Sequence, residues 1–165
     1  MLRSTIITLS VWACTLLVSQ AQQTYDDHGF SFQHSEAEKV TVTGDKIKTV
    51  RVENANGSLF MLQNYGKSIT PEQLRSMMTE SLLKQFEKNA TELKHKSATR
   101  TLFGEARSGS YILFSKNNIP SESLLFTFQK DGDTICVITQ MALQHSKEAE
   151  RMFATIQESL SISKK

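Results

Sequence analysis

The chain is short of the residues that staple or break a fold, with two cysteines, two prolines, seven glycines and one tryptophan in 165 residues. Cys14 falls inside a leading apolar segment. A product without that segment keeps only Cys136 and can form no internal disulfide. Cys136 sits in "TICVITQMAL", an apolar run that reads as an interior strand, so a small, buried, unreactive thiol is expected there. With so little proline and glycine there is no linker, repeat or low-complexity tract. Charge of one sign is missing too: 19 basic and 17 acidic residues leave +2, and loss of Arg3 with the leader lowers this to +1. That balance supplies no strong field for nucleic acid or an anionic membrane. No apolar run reaches the ~20 residues of a membrane-spanning helix. Finally, H-E-x-x-H, C-x-x-C, a Gly-rich phosphate loop and a G-x-S-x-G elbow are all absent from the sequence.

What is present begins at the first residue. In "MLRSTIITLSVWACTLLVSQAQQ", Arg3 precedes an apolar run from Ile6 to Val18, and the small residues Ser19 and Ala21 follow. This is the layout of a secretory signal peptide over 1–21, cleaved after Ala21. Residues 22–165 then form one domain of 144 residues, secreted or periplasmic and without an integral span. The competing reading takes "VWAC" as a lipobox with a lipid on Cys14. Trp12 does not suit such a box, and "TLLV" continues the apolar run where a lipoprotein turns polar.

Alternating stretches dominate the first third: "GFSFQ", "KVTVTG", "IKTVRVE" and "SLFMLQ", with a turn at "NANG". Asn56–Gly57 is expected to supply the positive φ angles of a tight hairpin. The period then changes. Leu74, Met77, Met78, Leu82 and Phe86 recur at three- and four-residue steps behind Thr70, Pro71 and Gln73, which spell a capping box. A helix from Pro71 to about Lys88 is predicted. Strands return in "LKHKSATRTLF", "SGSYILFSK", "SESLLFTFQK" and "DTICVITQMAL", the last three as an antiparallel meander with a hairpin at Asp131–Gly132. "YILF", "LLFTF" and "ICVI" are apolar on both faces, so these strands need cover on both sides. The closing segment provides it: Ser146 as a cap, then Ala149, Met152, Phe153, Ile156 and Leu160 on one face. The economical packing is α+β, an antiparallel sheet between amphipathic helices and an N-terminal hairpin. Met77, Met78 and Met152 are assigned to core stripes rather than to copper.

Chemistry-bearing residues gather in "YDDHGFSFQHSE". If Gly29 to Gln33 is extended, His28, Phe30, Phe32 and His34 point one way, with His28 and His34 about 20 Å apart at 3.3 Å per residue. A zinc ion holds its ligands at about 2 Å, so these two cannot share one. Asp26 and His28 remain as weak metal candidates, with Asp27 facing away and all three in a polar lead-in to the first strand. The serines of "RSGSYI" have no local base, and neither His95 nor His145 is assigned one. In "ELKHKSATR", strand alternation puts Lys94, Lys96 and Arg100 on one face, as a solvated outer strand or an anion or partner patch. "NGS" at Asn56 and "NAT" at Asn89 are glycosylation sequons if the secretory route is eukaryotic.

The order of elements resembles the PsbP-like superfamily, and within it the small bacterial DcrB-like secreted proteins and lipoproteins. The residues that carry the likeness are "GFSF", "TPEQLRSMMTESLLKQF", "SYILFSK", "LLFTFQKDGDTICVITQ" and "RMFATIQESLSI". The chain departs from plant members in lacking a transit peptide, and from lipoprotein members in lacking a convincing lipobox. The resemblance implies a PsbP-like α/β sandwich and a non-enzymatic extracytoplasmic protein that binds another protein. It would be an envelope accessory factor or a toxin-neutralising immunity protein, without catalytic residues or a cofactor. Two alternatives stand beside this: a small extracytoplasmic hydrolase or metal-binding protein with a site across strand ends, and capture of a small apolar ligand beside Met77, Met78 and Phe86.

Overall fold

A computed structural model describes residues 21–163. The leader, including Cys14, lies outside the described residues except for Ala21. Seven strands, β3 (Lys39–Thr43), β4 (Thr49–Glu53), β5 (Leu59–Asn64), β6 (Thr91–Leu102), β7 (Glu105–Lys116), β8 (Ile119–Lys130) and β9 (Asp133–Ala142), form the main sheet. Their order is β3-β4-β5-β9-β8-β7-β6, antiparallel throughout. A second sheet, ordered β1-β2-β10, joins β1 (Gln22–Asp27), β2 (Phe30–Ser35) and β10 (Ser161–Ile162). Two helices complete the fold, α1 (Pro71–Asn89) and α2 (Ser146–Ser159).

Side-chain alternation divides the main sheet into two covered faces. On one, Leu74 of α1 packs with Leu125, Cys136 and Ile138, while Phe86 stacks on Phe114 with ring centroids 4.1 Å apart. On the other, Ala149, Met152, Phe153 and Ile156 of α2 join Phe30 and Phe32 of β2 against Val50, Val52, Phe60, Leu62, Ile135 and Val137. Burying each of the Val, Leu, Ile, Phe and Met side chains among these contributes about 1.5–3 kcal/mol. The expected α+β architecture, a central antiparallel sheet sandwiched by helices, is what the chain adopts.

Turn chemistry sets the meander. Phe103–Gly104, Asn117–Asn118 and Asp131–Gly132 each place both turn residues at positive φ, between 52° and 91°. Type I′ hairpins require this. The first of these turns takes in Phe103, the last residue of the stretch "LKHKSATRTLF" that reads as strand. A phenylalanine is a costly choice at positive φ, and its ring, 5.3 Å from that of Phe128, offsets the strain by packing.

Other expectations are corrected. At "NANG" only Gly57 has positive φ; Asn54 instead accepts the Asn56 and Ser58 amides through its side chain and the Gly57 amide through its carbonyl. Thr70 caps α1 through the capping box, but Ser146 is the first residue of α2 rather than its cap, because a 3-10 turn over Leu143–His145 runs straight into the helix. Met77 is 49% exposed and belongs to no core stripe, whereas Met78 and Met152 pack as expected.

The far end of the meander curls. β7 pairs with β8 only from Gly109 to Lys116, while its first residues, Glu105 to Ser108, pair with β6 alone. This two-stranded ribbon bends back over the face that carries Phe128: Arg107 lies 4.8 Å above the Phe128 ring and Phe103 beside it.

Candidate functional site

The N-terminal histidine cluster assembles differently from expectation. Residues 22–27 are a strand rather than a lead-in, and His28–Gly29 is a fourth turn with both φ angles positive. His28 thus leaves the face shared by Phe30, Phe32 and His34, all three of which are buried. It turns toward Asp27 and Tyr25: its Nδ1 lies 2.9 Å from Asp27 Oδ2 and 3.1 Å from the Tyr25 hydroxyl. Asp26 points from the opposite face of β1. The Asp26–His28 metal pair is therefore not brought together, and Asp27, which was expected to face away, is the neighbour. Among the described residues no three His, Cys, Asp or Glu side chains converge as a metal site. The apolar-ligand alternative would need a cavity beside Met77, Met78 and Phe86. Phe86 lines a recess of about 420 Å³ whose other walls include Gln85, Asn89, Lys116 and Gln140, and neither Met77 nor Met78 reaches it.

Lys94, Lys96 and Arg100 are brought together. They occupy one face of β6, the outer strand of the main sheet, and all three are exposed. Cross-strand rows fix their surroundings: Lys94 stands beside Leu113 and then Glu122, Lys96 beside Tyr111 and then Leu124, and Arg100 beside Arg107. Lys96 Nζ sits 4.9 Å over the Tyr111 ring. Burial first, then the hydrogen bond and charge of Glu122, raise the Tyr111 hydroxyl above its usual range, while Arg100 pulls it down. Among the described residues none of the three cations has a carboxylate within 4 Å, whereas Arg107 is committed to Glu105.

The opposite face of β6 faces α1 across a groove of about 660 Å³ that sequence reading did not find. His95, Ser97 and Thr99 of β6, Ser108 and Ser110 of β7, and Arg75, Ser76 and Thr79 of α1 line it. Its hydroxyls come from three elements far apart in sequence, so no local motif announces them. Thr79 and Ser110 hydroxyls bond each other at 2.8 Å, and Arg75 reaches the Ser108 carbonyl at 3.5 Å. His95 and Ser108 share the groove but form no nucleophile–base pair. Ser108 stands opposite Thr99, four residues from His95 along β6, about 13 Å at 3.3 Å per residue. The groove is equipped to accept hydrogen-bonding side chains.

No family model matches the chain, and no curated protein matches it. Solved structures do. The solution structure of cyanobacterial PsbP (CyanoP) from Synechocystis sp. PCC 6803 superposes with a TM-score of 0.55 at 10% identity, covering 92% of this chain and 98% of that one. The crystal structure of LpqN, involved in cell envelope biogenesis of Mycobacterium tuberculosis, gives a TM-score of 0.52 at 11% identity, covering 87% and 91%. At such identities the likeness is one of architecture, and the two-helix, curled antiparallel sheet described above is a PsbP-like fold.

Proposed function

We propose that this is a non-enzymatic, extracytoplasmic binding module, accessory to another envelope component, that presents strand β6 to an acidic protein partner. Three things support the reading. The leader has the layout of an export signal. No helix among the described residues is long and apolar enough to cross a membrane. The fold is shared with LpqN, a protein involved in cell envelope biogenesis. The narrower likeness to the small DcrB-like secreted proteins belongs to the same reading. The observation that carries it is the set of Lys94, Lys96 and Arg100: exposed, on one face and without an ion-pair partner among the described residues. Complementary charge at an interface speeds encounter and selects the partner.

The test is a pull-down from the native envelope fraction with the mature domain and its Lys94→Glu/Lys96→Glu/Arg100→Glu variant. A stoichiometric protein retained by the first and reduced at least tenfold by the second is expected. Equal retention by the variant would remove the basic face from the reading. A partner that is a secreted effector favours the toxin-neutralising form; a resident envelope protein favours the accessory factor.

A further inference from the structure

Resting on that reading, we propose that the partner docks by strand addition, as an acidic extended polypeptide segment that pairs with the open edge of β6 from Lys94 to Leu102.

The edge is available and regular. β6 is last in the sheet order, so the side away from β7 has no strand partner among the described residues. Its only irregularity lies at the start, where Glu92 takes φ 55° and the register shifts between Thr91 and Lys94. From Lys94 opposite Leu113 to Leu102 opposite Glu105 the register is unbroken. That is nine residues, about 30 Å of unused backbone donors and acceptors at 3.3 Å per residue. Charged side chains, lysine above all, blunt an edge against general pairing, and so does keeping the strand short. β3, at the far side of the same sheet, follows that rule with five residues, whereas β6 has twelve.

Both faces of this edge are prepared for an added strand. Lys94, Lys96 and Arg100 would lie beside alternate side chains of the newcomer, and like charges directly opposite are unfavourable while opposite charges are favourable. This selects an acidic sequence. It also argues against a second copy of the same chain pairing β6 with β6, which would set these cations against each other. The intervening side chains of the newcomer would fall toward His95, Ser97 and Thr99 at the mouth of the groove, where small hydrogen-bonding groups suit the hydroxyl lining. Main-chain pairing would supply affinity and the two faces specificity. A lipid headgroup offers the charge but no ladder of donors and acceptors to match the strand.

The probe is a ten-residue peptide alternating glutamate with threonine, tested beside the same peptide with every backbone amide N-methylated, and beside phosphatidylglycerol vesicles. Titration calorimetry gives affinities, and hydrogen exchange by NMR reports the β6 amides. Expected are saturable binding of the unmodified peptide, at least tenfold weaker binding of the methylated one, and slowed exchange confined to alternate amides of Lys94–Leu102. Equal binding of both peptides overturns strand addition while leaving the basic face intact. Binding by neither peptide, or by vesicles in their place, also overturns it, and the pull-down with the charge-reversed variant then judges the broader reading on its own.

Discussion

Phe126 lies flat across Gly109, its direct partner on the neighbouring strand. A Cβ at Gly109 would collide with Phe126 Cδ1 and with the Leu125 carbonyl oxygen. Gly109 sits where β7 parts from β8, so the absence of a side chain lets the strand pass closely under the ring and the β6–β7 ribbon curl over the core. Arg100, opposite Arg107, shares the face that bends toward Phe128, and β6 forms the outer edge of the ribbon.

Gly109→Ala should accordingly destabilise the domain by about 1–3 kcal/mol, the usual cost of overpacking. One of the two clashing atoms is backbone and cannot rotate away. A fall in the urea midpoint with little change in slope is the expected readout. An unchanged midpoint would mean the ribbon is not held by this contact.

The Thr79–Ser110 hydroxyl pair fastens α1 to β7 inside the groove. Ser110→Ala strands a buried hydroxyl and is expected to cost about 1–2 kcal/mol. Adding Thr79→Val removes the stranded group, so the double variant should lose less than the sum of the singles by at least ~0.5 kcal/mol. Additive losses in denaturant melts would dissolve the pair as an energetic unit.

The capping box at the start of α1 has both of its bonds, from the Gln73 amide to Thr70 Oγ1 and from the Thr70 amide to Gln73 Oε1. Thr70→Ala should therefore lower stability by ~1 kcal/mol, with Thr70→Ser close to neutral. Thermal melts of the two variants separate the hydroxyl from its methyl group.

Burial pushes the Cys136 thiol from 9.0 up to about 12. The fold thus favours the protonated thiol: this contribution is intact below about pH 9 and is lost as pH climbs toward 12. The half-buried Tyr25, Tyr65 and Tyr111, whose hydroxyls are raised first by desolvation, add to the decline. Replacing Cys136 with Ala should flatten the stability curve between pH 9 and 11 while the tyrosine share stays. At pH 8 the native thiol should resist a disulfide reagent that labels it promptly in urea. Rapid labelling of the folded protein would contradict its burial.

Much of the architecture was legible because it rests on local rules. Thr70, Pro71 and Gln73 announce α1, Asp131–Gly132 announces a hairpin, and the apolar runs in β8 and β9 signal strands covered twice. Other features leave no such trace. β1 is "QQTYDD", mostly exposed and held by pairing with β2 alone, so it shows no apolar alternation. β10 is two residues that follow α2 and pair with β2 across a long separation in sequence. Phe103 at positive φ breaks turn preference for the sake of a ring contact with Phe128. Lys94, Lys96 and Arg100 could be placed on one face from alternation, since they share a strand. The groove behind them could not, since Ser76, Thr79, Ser97, Thr99, Ser108 and Ser110 meet only through the tertiary fold.

The most direct measurement of where the molecule recognises its partner uses a photoactivatable phenylalanine at Thr99 on β6 or at Val42 on the opposite edge strand, irradiated in the native envelope. A single protein adduct from position 99, abolished by charge reversal at Lys94, Lys96 and Arg100, and none from position 42, is the predicted outcome. Adducts from position 42 alone, or from position 99 regardless of those charges, would contradict it.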